Sequence, residues 1–191
     1  MNSEAIELAI LAQNTLGAYA QTRLLWPDHL ALPQPGEHIQ LHNGECLYPM
    51  FSPREGQLEV LSQRPPSSLN RAALTGTSIQ PAPDQPIVIL ARGIELATLI
   101  YICSLRRHST ASTLALYQLD DIAPFRPRPS RFLLPNMPPG VIAAIPLLED
   151  WGIPSRLCSP DARAGCFEGS LDELLVTLKS KHTVIHLSPL M

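Results

Sequence analysis

Hydrophobic and polar positions change their rhythm near residue 82. Before that point the apolar runs are short and broken by turn residues every 8–12 positions, the pattern of a small antiparallel sheet or barrel. Two runs, Ala5 to Gln13 and Tyr19 to Trp26, mix apolar and polar positions without strict alternation. Gly36 opens a short strand at 38–41. Gly56 opens a strand from Gln57 to Ser62, in which Leu58, Val60 and Ser62 alternate with Glu59 and Leu61. Gly76 precedes a last short run, Thr77 to Gln80. After a proline-rich joint at 81–86 the pattern is different. Ile87 to Ala91 is apolar without interruption, as expected of a parallel strand covered on both faces. Ile94 to Arg107 then places Leu96, Leu99, Ile100 and Cys103 at helical spacing, with arginines in the last turn. Strands are expected at Thr113 to Leu119, Ile153 to Ser159 and Thr183 to Leu187. Helices are expected at Gly140 to Trp151 and Ser170 to Leu178. Ser170 at the N-cap and Glu173 three residues on form a capping box. Alternating strands and helices indicate a parallel sheet with right-handed crossovers. The expected architecture is therefore a small N-terminal antiparallel β-barrel over 1–82, followed by a nucleotide-binding-type α/β domain over 86–191.

Composition narrows the function classes. The 191 residues are 45% hydrophobic and 16% charged, enough apolar material for real cores. A net charge of −3 provides no general attraction to nucleic acid or to an anionic membrane surface. No apolar stretch is long enough to span a bilayer, and no secretory leader is legible, so a soluble cytoplasmic protein is expected. The 20 prolines are about twice the ordinary share and fall between elements, where they act as punctuation. Cys46, Cys103, Cys158 and Cys166 form no CxxC pair, which argues against a zinc or iron–sulfur cage. The six histidines show no metal-ligand spacing. No Gly-x-Ser-x-Gly elbow marks a nucleophile, so no catalytic residue is assigned. Arg126, Arg128 and Arg131, interleaved with prolines, read either as a rigid anion-docking loop or as a solvated linker pairing with Asp120 and Asp121.

Several segments carry a family likeness when taken in order. Pro35-Gly36-Glu37-His38-Ile39-Gln40-Leu41 looks like a Pro-Gly-Gln-Phe-Val-x-Leu strand. Tyr48-Pro49-Met50-Phe51-Ser52 falls where an Arg-Pro-x-Ser flavin motif would lie. Ala91-Arg92-Gly93-Ile94-Glu95-Leu96-Ala97 occupies the place of Ala-Gly-Gly-Ile-Gly-Ile-Ala, and Leu187-Ser188-Pro189 that of Cys-Gly-Pro. The segment 159–175 is similar to an Asp-Gly-x-x-Gly stretch leading into a helix. With these residues the chain resembles the ferredoxin–NADP reductase-like flavoproteins, and most of all the electron-transfer subunits of dihydroorotate dehydrogenase. The resemblance implies FAD on the barrel, NAD(P) on the Rossmann-like domain, and electron transfer to a redox or subunit partner. Tyr48, Pro49, Ser52, Arg92, Gly93, Ser188 and Pro189 then stand at the cofactor-binding positions. The iron–sulfur loop of the dihydroorotate group has no counterpart here.

The departures from the family pattern have physical meaning. A phenol at Tyr48 cannot neutralise a phosphate as an arginine does. A side chain at Arg92 blocks close backbone approach to a pyrophosphate, and Glu95 would place the protein's own carboxylate at the anion position. Three readings follow: an FAD/NAD(P)H-dependent oxidoreductase or electron-transfer protein, a non-catalytic interaction or regulatory subunit derived from that family, and a nucleotide or small-ligand sensor. A last strand at the sheet edge would also suit homodimer formation.

Overall fold

The structure is a computed structural model and describes residues 6, 8–69, 72–119, 122–179 and 182–187. Within these residues the chain forms two compact units that meet at Gln80 and Pro81.

The first unit is a six-stranded antiparallel sheet of β1 (Ala9–Leu16), β2 (Tyr19–Leu25), β3 (Glu37–Gln40), β4 (Cys46–Phe51), β5 (Gln57–Ser62) and β6 (Ala73–Gly76). Its strand order is β1-β2-β5-β4-β3-β6. The two ends of that order are joined by a bridge between Ile6 and Ala72, whose amides donate to each other's carbonyls at 3.0 and 3.4 Å. This bridge brings the two ends of the sheet together, as in a small barrel. The interior is filled by Leu24, Trp26, Ile39, Leu47, Leu58 and Val60. Sequence alternation leaves Glu59 facing water. The central strand β5 is instead buried on both faces, and Glu59 accepts from Arg23 Nε at 2.6 Å and Gln21 Nε2 at 3.1 Å. A buried carboxylate is tolerated there because both of its oxygens are satisfied.

The last barrel strand differs from the expected Thr77 to Gln80. Pairing places His38 opposite Thr75, so the strand is Ala73–Gly76. The displacement follows from backbone crowding: a Cβ on Gly76 would lie 2.7 Å from the Gly36 carbonyl, and one on Gly36 would lie 2.4 Å from that of Thr77. Only glycine allows the two segments to come so close.

The second unit is a parallel sheet of β7 (Ile87–Arg92), β8 (Thr113–Gln118), β11 (Ser155–Ser159), β12 (Phe167–Glu168) and β13 (Thr183–His186), in the order β12-β11-β8-β7-β13. A short antiparallel pair, β9 (Arg128–Pro129) with β10 (Ala143–Ala144), lies outside it. A 3₁₀ turn at Gly93–Glu95 leads into α1 (Leu96–Arg106), which packs against β7 and β8. Helix α3 (Leu171–Leu178) covers Val88, Leu90, Leu114 and Leu116 with Leu174 and Leu178. Alternation along β7 turns Ile87 and Ile89 to the opposite face, so the strand is apolar from Ile87 to Ala91 because both faces are covered. Ser170 and Glu173 form the expected capping box, with Ser170 N donating to Glu173 Oε2 at 2.7 Å and Glu173 N to Ser170 Oγ at 3.3 Å.

The helix expected over Gly140 to Trp151 is reduced to α2 (Pro146–Asp150). Pro146 holds the first helical position and keeps Ile145 extended at φ −78°, ψ 116°, which frees Ala143 and Ala144 to pair with β9. The proline-rich segments are fixed by buried charges. Arg156 donates to the carbonyls of Val141, Ser155 and Phe132, and Glu149 accepts from Ser130 Oγ and the Arg131 amide. Arg131 and Arg128 pair with Glu149 and Asp150 respectively. Asp120 and Asp121, the partners named from sequence, lie outside the described residues.

Arg106 does more than complement the α1 dipole. Only 7% exposed, it donates to the carbonyls of Ala82, Pro83 and Gln85 and to Thr113 Oγ1. Its guanidinium thereby ties the 81–86 joint to the end of the helix. Removing it strands three carbonyls, so Arg106→Ala should cost about 3 kcal/mol in urea denaturation. A loss below about 1 kcal/mol would show that water replaces the side chain freely.

Candidate functional site

In an open parallel sheet the amides at the carboxyl ends of the strands and the following helix N-termini face a common crevice, deepest where the strand order reverses. Here the order runs outward from β7 through β8 to β11 on one side and jumps to β13 on the other. A crevice of about 230 Å³ lies at that point, lined by Arg92 and Leu90 of β7, Gln118 of β8, His186 of β13, Glu95, and Ser170 to Asp172 at the start of α3.

The β7–α1 turn sets its chemistry. Arg92 is extended at φ −143°, ψ 156°, and Gly93 turns the chain with φ +55°, a value suited to glycine. Tyr117, wholly buried, donates its hydroxyl to the Gly93 carbonyl at 2.9 Å and fixes the turn. Gly93 therefore has a backbone reason to be present whether or not an anion binds. Glu95 is 6% exposed. Its Oε2 accepts the Arg92 amide at 2.8 Å, whereas its Oε1 is buried with no hydrogen-bond partner among the described residues. Burial pushes the Glu95 carboxyl above the usual value, with the Arg92 amide bond and the nearby Arg92 charge pulling it partly back. The α3 N-terminus is likewise occupied, because Glu173 holds the Ser170 amide. These hydrogen bonds hold its carboxyl below the usual range.

A nicotinamide dinucleotide places its pyrophosphate on free amides at such a turn. The residues present do not fit that group. The Arg92 amide is taken by a carboxylate, and Glu95 and Asp172 set two negative charges against Arg92.

The barrel has a separate pocket of about 410 Å³, lined by Tyr48, Cys46, Glu45, Asn43, Ser62 and Arg64, among others. Tyr48 stacks on His38 with ring centroids 5.7 Å apart, and burial raises its phenol above the usual value, so it is a neutral donor. His38 in turn meets Thr75 Oγ1 at 2.8 Å. Pro49 is buried beside a bulge between Pro49 and Phe51. Ser52 donates its hydroxyl to the Arg54 carbonyl at 2.8 Å, which closes a local turn. Arg64 and Glu45 give this pocket one charge of each sign. No cation stands on β4, and Arg64, beyond the end of β5, is the cation that shares the pocket with Tyr48.

Of the positions implied by resemblance, Tyr48 lines the barrel pocket and Arg92 the α/β crevice, while Ser188 and Pro189 lie outside the described residues. Arg64, Gln118, Asp172 and His186 are additions. The last three could have been found from topology, since they sit at strand carboxyl ends or a helix start. Cys103 and Cys158 are buried, and burial pushes both thiols up to about 12, which suits core packing rather than redox exchange.

No protein-family model matches the sequence, and no curated protein matches it either. Solved structures do match its backbone. An Amycolatopsis cytochrome P450 reductase, GcoB, superposes with a TM-score of 0.61 at 14% identity, over 96% of this chain and 60% of its own. An NADH-dependent reduced ferredoxin–NADP oxidoreductase gives 0.59 at 12% identity, over 95% of this chain and 66% of its own. The chain has the fold of the ferredoxin-reductase-like flavoproteins. A flavohemoglobin from Malassezia yamatoensis with bound FAD and heme gives 0.54 at 11% identity, over 94% and 58%. This ferredoxin-reductase-like chain thus spans less than two thirds of these proteins. No helix among its described residues is long and apolar enough to cross a membrane.

Titration of Glu95 gives the site a measurable signature. A carboxyl whose folded value lies above its usual 4.5 binds more protons folded than unfolded in the window just above 4.5. Its contribution is therefore most favourable below that window and declines as pH rises through it. Urea denaturation of wild type and Glu95→Gln across pH 4 to 7 should show the wild type losing ground steadily above about pH 4.5. A pH-independent difference would mean that the carboxyl is not desolvated.

Proposed function

We propose that this chain acts as a subunit in electron transfer, or in its regulation, on a ferredoxin-reductase-like scaffold, and does not itself oxidise NAD(P)H. The observation that supports this reading is the Glu95 carboxylate on the Arg92 amide, the position where a nicotinamide dinucleotide would need an open donor. An oxidoreductase scaffold that is silent toward the nicotinamide depends on a protein partner for its electrons, or serves to position that partner. The partner class implied is a redox protein, since the fold's relatives by structure include reductases serving cytochrome P450 or ferredoxin. A second copy of the chain is another candidate partner, and β13, the longer of the two edge strands of its sheet, is where either would add. Kinship to the dihydroorotate dehydrogenase electron-transfer subunits rests on the sequence resemblance, and a soluble, cytoplasmic setting suits all of these roles.

A second reading is favoured by the barrel pocket. Arg64 beside Tyr48 would let the barrel hold a flavin diphosphate with its cation moved from β4 to the residue beyond β5. The flavin would supply one- and two-electron chemistry. The protein's own part would be to bind it, with Arg64 on the phosphates and Tyr48 as a neutral donor.

Calorimetry with NADH and NADPH, together with visible spectra before and after adding FAD, separates these readings. No heat is expected with either nicotinamide. Micromolar binding of NADPH would overturn the first reading, whereas stoichiometric uptake of FAD with a yellow spectrum would establish the flavin reading.

A further inference from the structure

Glu95 combines two properties that are costly together. It is a carboxylate withdrawn from water, and only one of its oxygens has a hydrogen bond. A buried acceptor left unpaired costs about 1–3 kcal/mol, and more when it is charged. The Glu95 carboxylate on the Arg92 amide is the glutamate half of a capping box, as Glu173 on the Ser170 amide is at α3, but Glu173 is exposed whereas Glu95 is buried. The cost is explained by where the carboxylate sits. The Arg92 amide heads the three-residue 3₁₀ turn that runs directly into the eleven-residue α1, and the Arg92 charge acts on the carboxylate there. Those are the ingredients of an oxyanion site. Two oxygens on one carbon have much the same reach as two oxygens on one phosphorus.

We infer that Glu95 is an internal ligand: its side chain occupies a latent diphosphate-class anion site at the head of α1 and keeps it shut. The inference rests on the reading that this crevice takes no nicotinamide dinucleotide, and adds the cause. Glu95 is the buried obstacle at the site, while the turn that would carry an anion is intact. The φ +55° turn at Gly93, the hydroxyl of Tyr117 on its carbonyl, the Arg92 charge and the crevice itself all remain in place. Asp172 across the crevice is exposed and free to turn into solvent, so it is a weaker barrier than the buried carboxylate.

The test uses inorganic pyrophosphate and the full chain. Isothermal calorimetry is run on wild type, Glu95→Gly and the double variant Glu95→Gly with Arg92→Ala. Circular dichroism melts confirm that each is folded. Wild type should give no measurable heat. The glycine variant, with its Arg92 amide released, should bind pyrophosphate at least ten-fold more tightly than wild type. The double variant should lose most of that gain. Should glycine loosen the first turn of α1, Glu95→Ala removes the same carboxylate and carries the same expectation. A folded Glu95→Gly or Glu95→Ala protein with no more affinity than wild type would overturn the inference, and so would a gain that survives loss of Arg92. Wild-type binding of NADPH would instead contradict the proposed function, so the two failures are distinguishable.

Discussion

One hydrogen bond, from the Arg92 amide to the Glu95 carboxylate, decides how the α/β unit can be used. The parallel strands ending together, the reversal of strand order, the tight turn and the helix start of an anion-binding crevice are present. Within that crevice the carboxylate occupies the Arg92 amide, the donor that an anion would need. Its buried, half-paired state is energetically poor, and the surrounding fold has to supply the stability that holds it. The apolar β7, flanked by β8 and β13 and covered on both faces, is the main source of that stability.

Buried cations do the same work for the irregular segments. Twenty prolines leave many carbonyls without amide partners in the same segment, and a guanidinium with five donors is an efficient way to satisfy them. Arg106 gathers the carbonyls of the 81–86 joint, and Arg156 those of the excursion between β8 and β11. Glu149 performs the complementary task by accepting from Ser130 and Arg131. Of the arginines that look like a docking cluster in sequence, Arg131 pairs with the buried Glu149, Arg128 makes only a surface pair with Asp150, and Arg126 is exposed.

The order of elements was legible because β7 and α1 have unmistakable periods and because Ser170 and Glu173 specify a helix start. Three features were not. The barrel's last strand is set by the close approach of Gly36 and Gly76, a tertiary contact that no local pattern encodes. The shortened α2 follows from Pro146, whose effect on Ile145 outweighs the apolar spacing around it. Glu59 reads as a solvent-facing residue in a two-residue period, yet it is buried through pairing with Arg23 and Gln21. For the site, the replacements at Tyr48, Arg92 and Glu95 were visible as departures from a resemblance. Where Glu95 places its carboxylate, and that Arg64 shares a pocket with Tyr48, required the third dimension.

Glu95 holds the Arg92 amide as an internal anion. Proton–nitrogen correlation spectra of the uniformly labelled protein, recorded from pH 4 to 8, read that bond directly, since an amide donating to a carboxylate shifts downfield as the acid ionises. The Arg92 amide should move downfield with a midpoint above 4.5 and stay unmoved when pyrophosphate is added to the wild type. An Arg92 amide that ignores pH, or that shifts on adding pyrophosphate, would contradict the account.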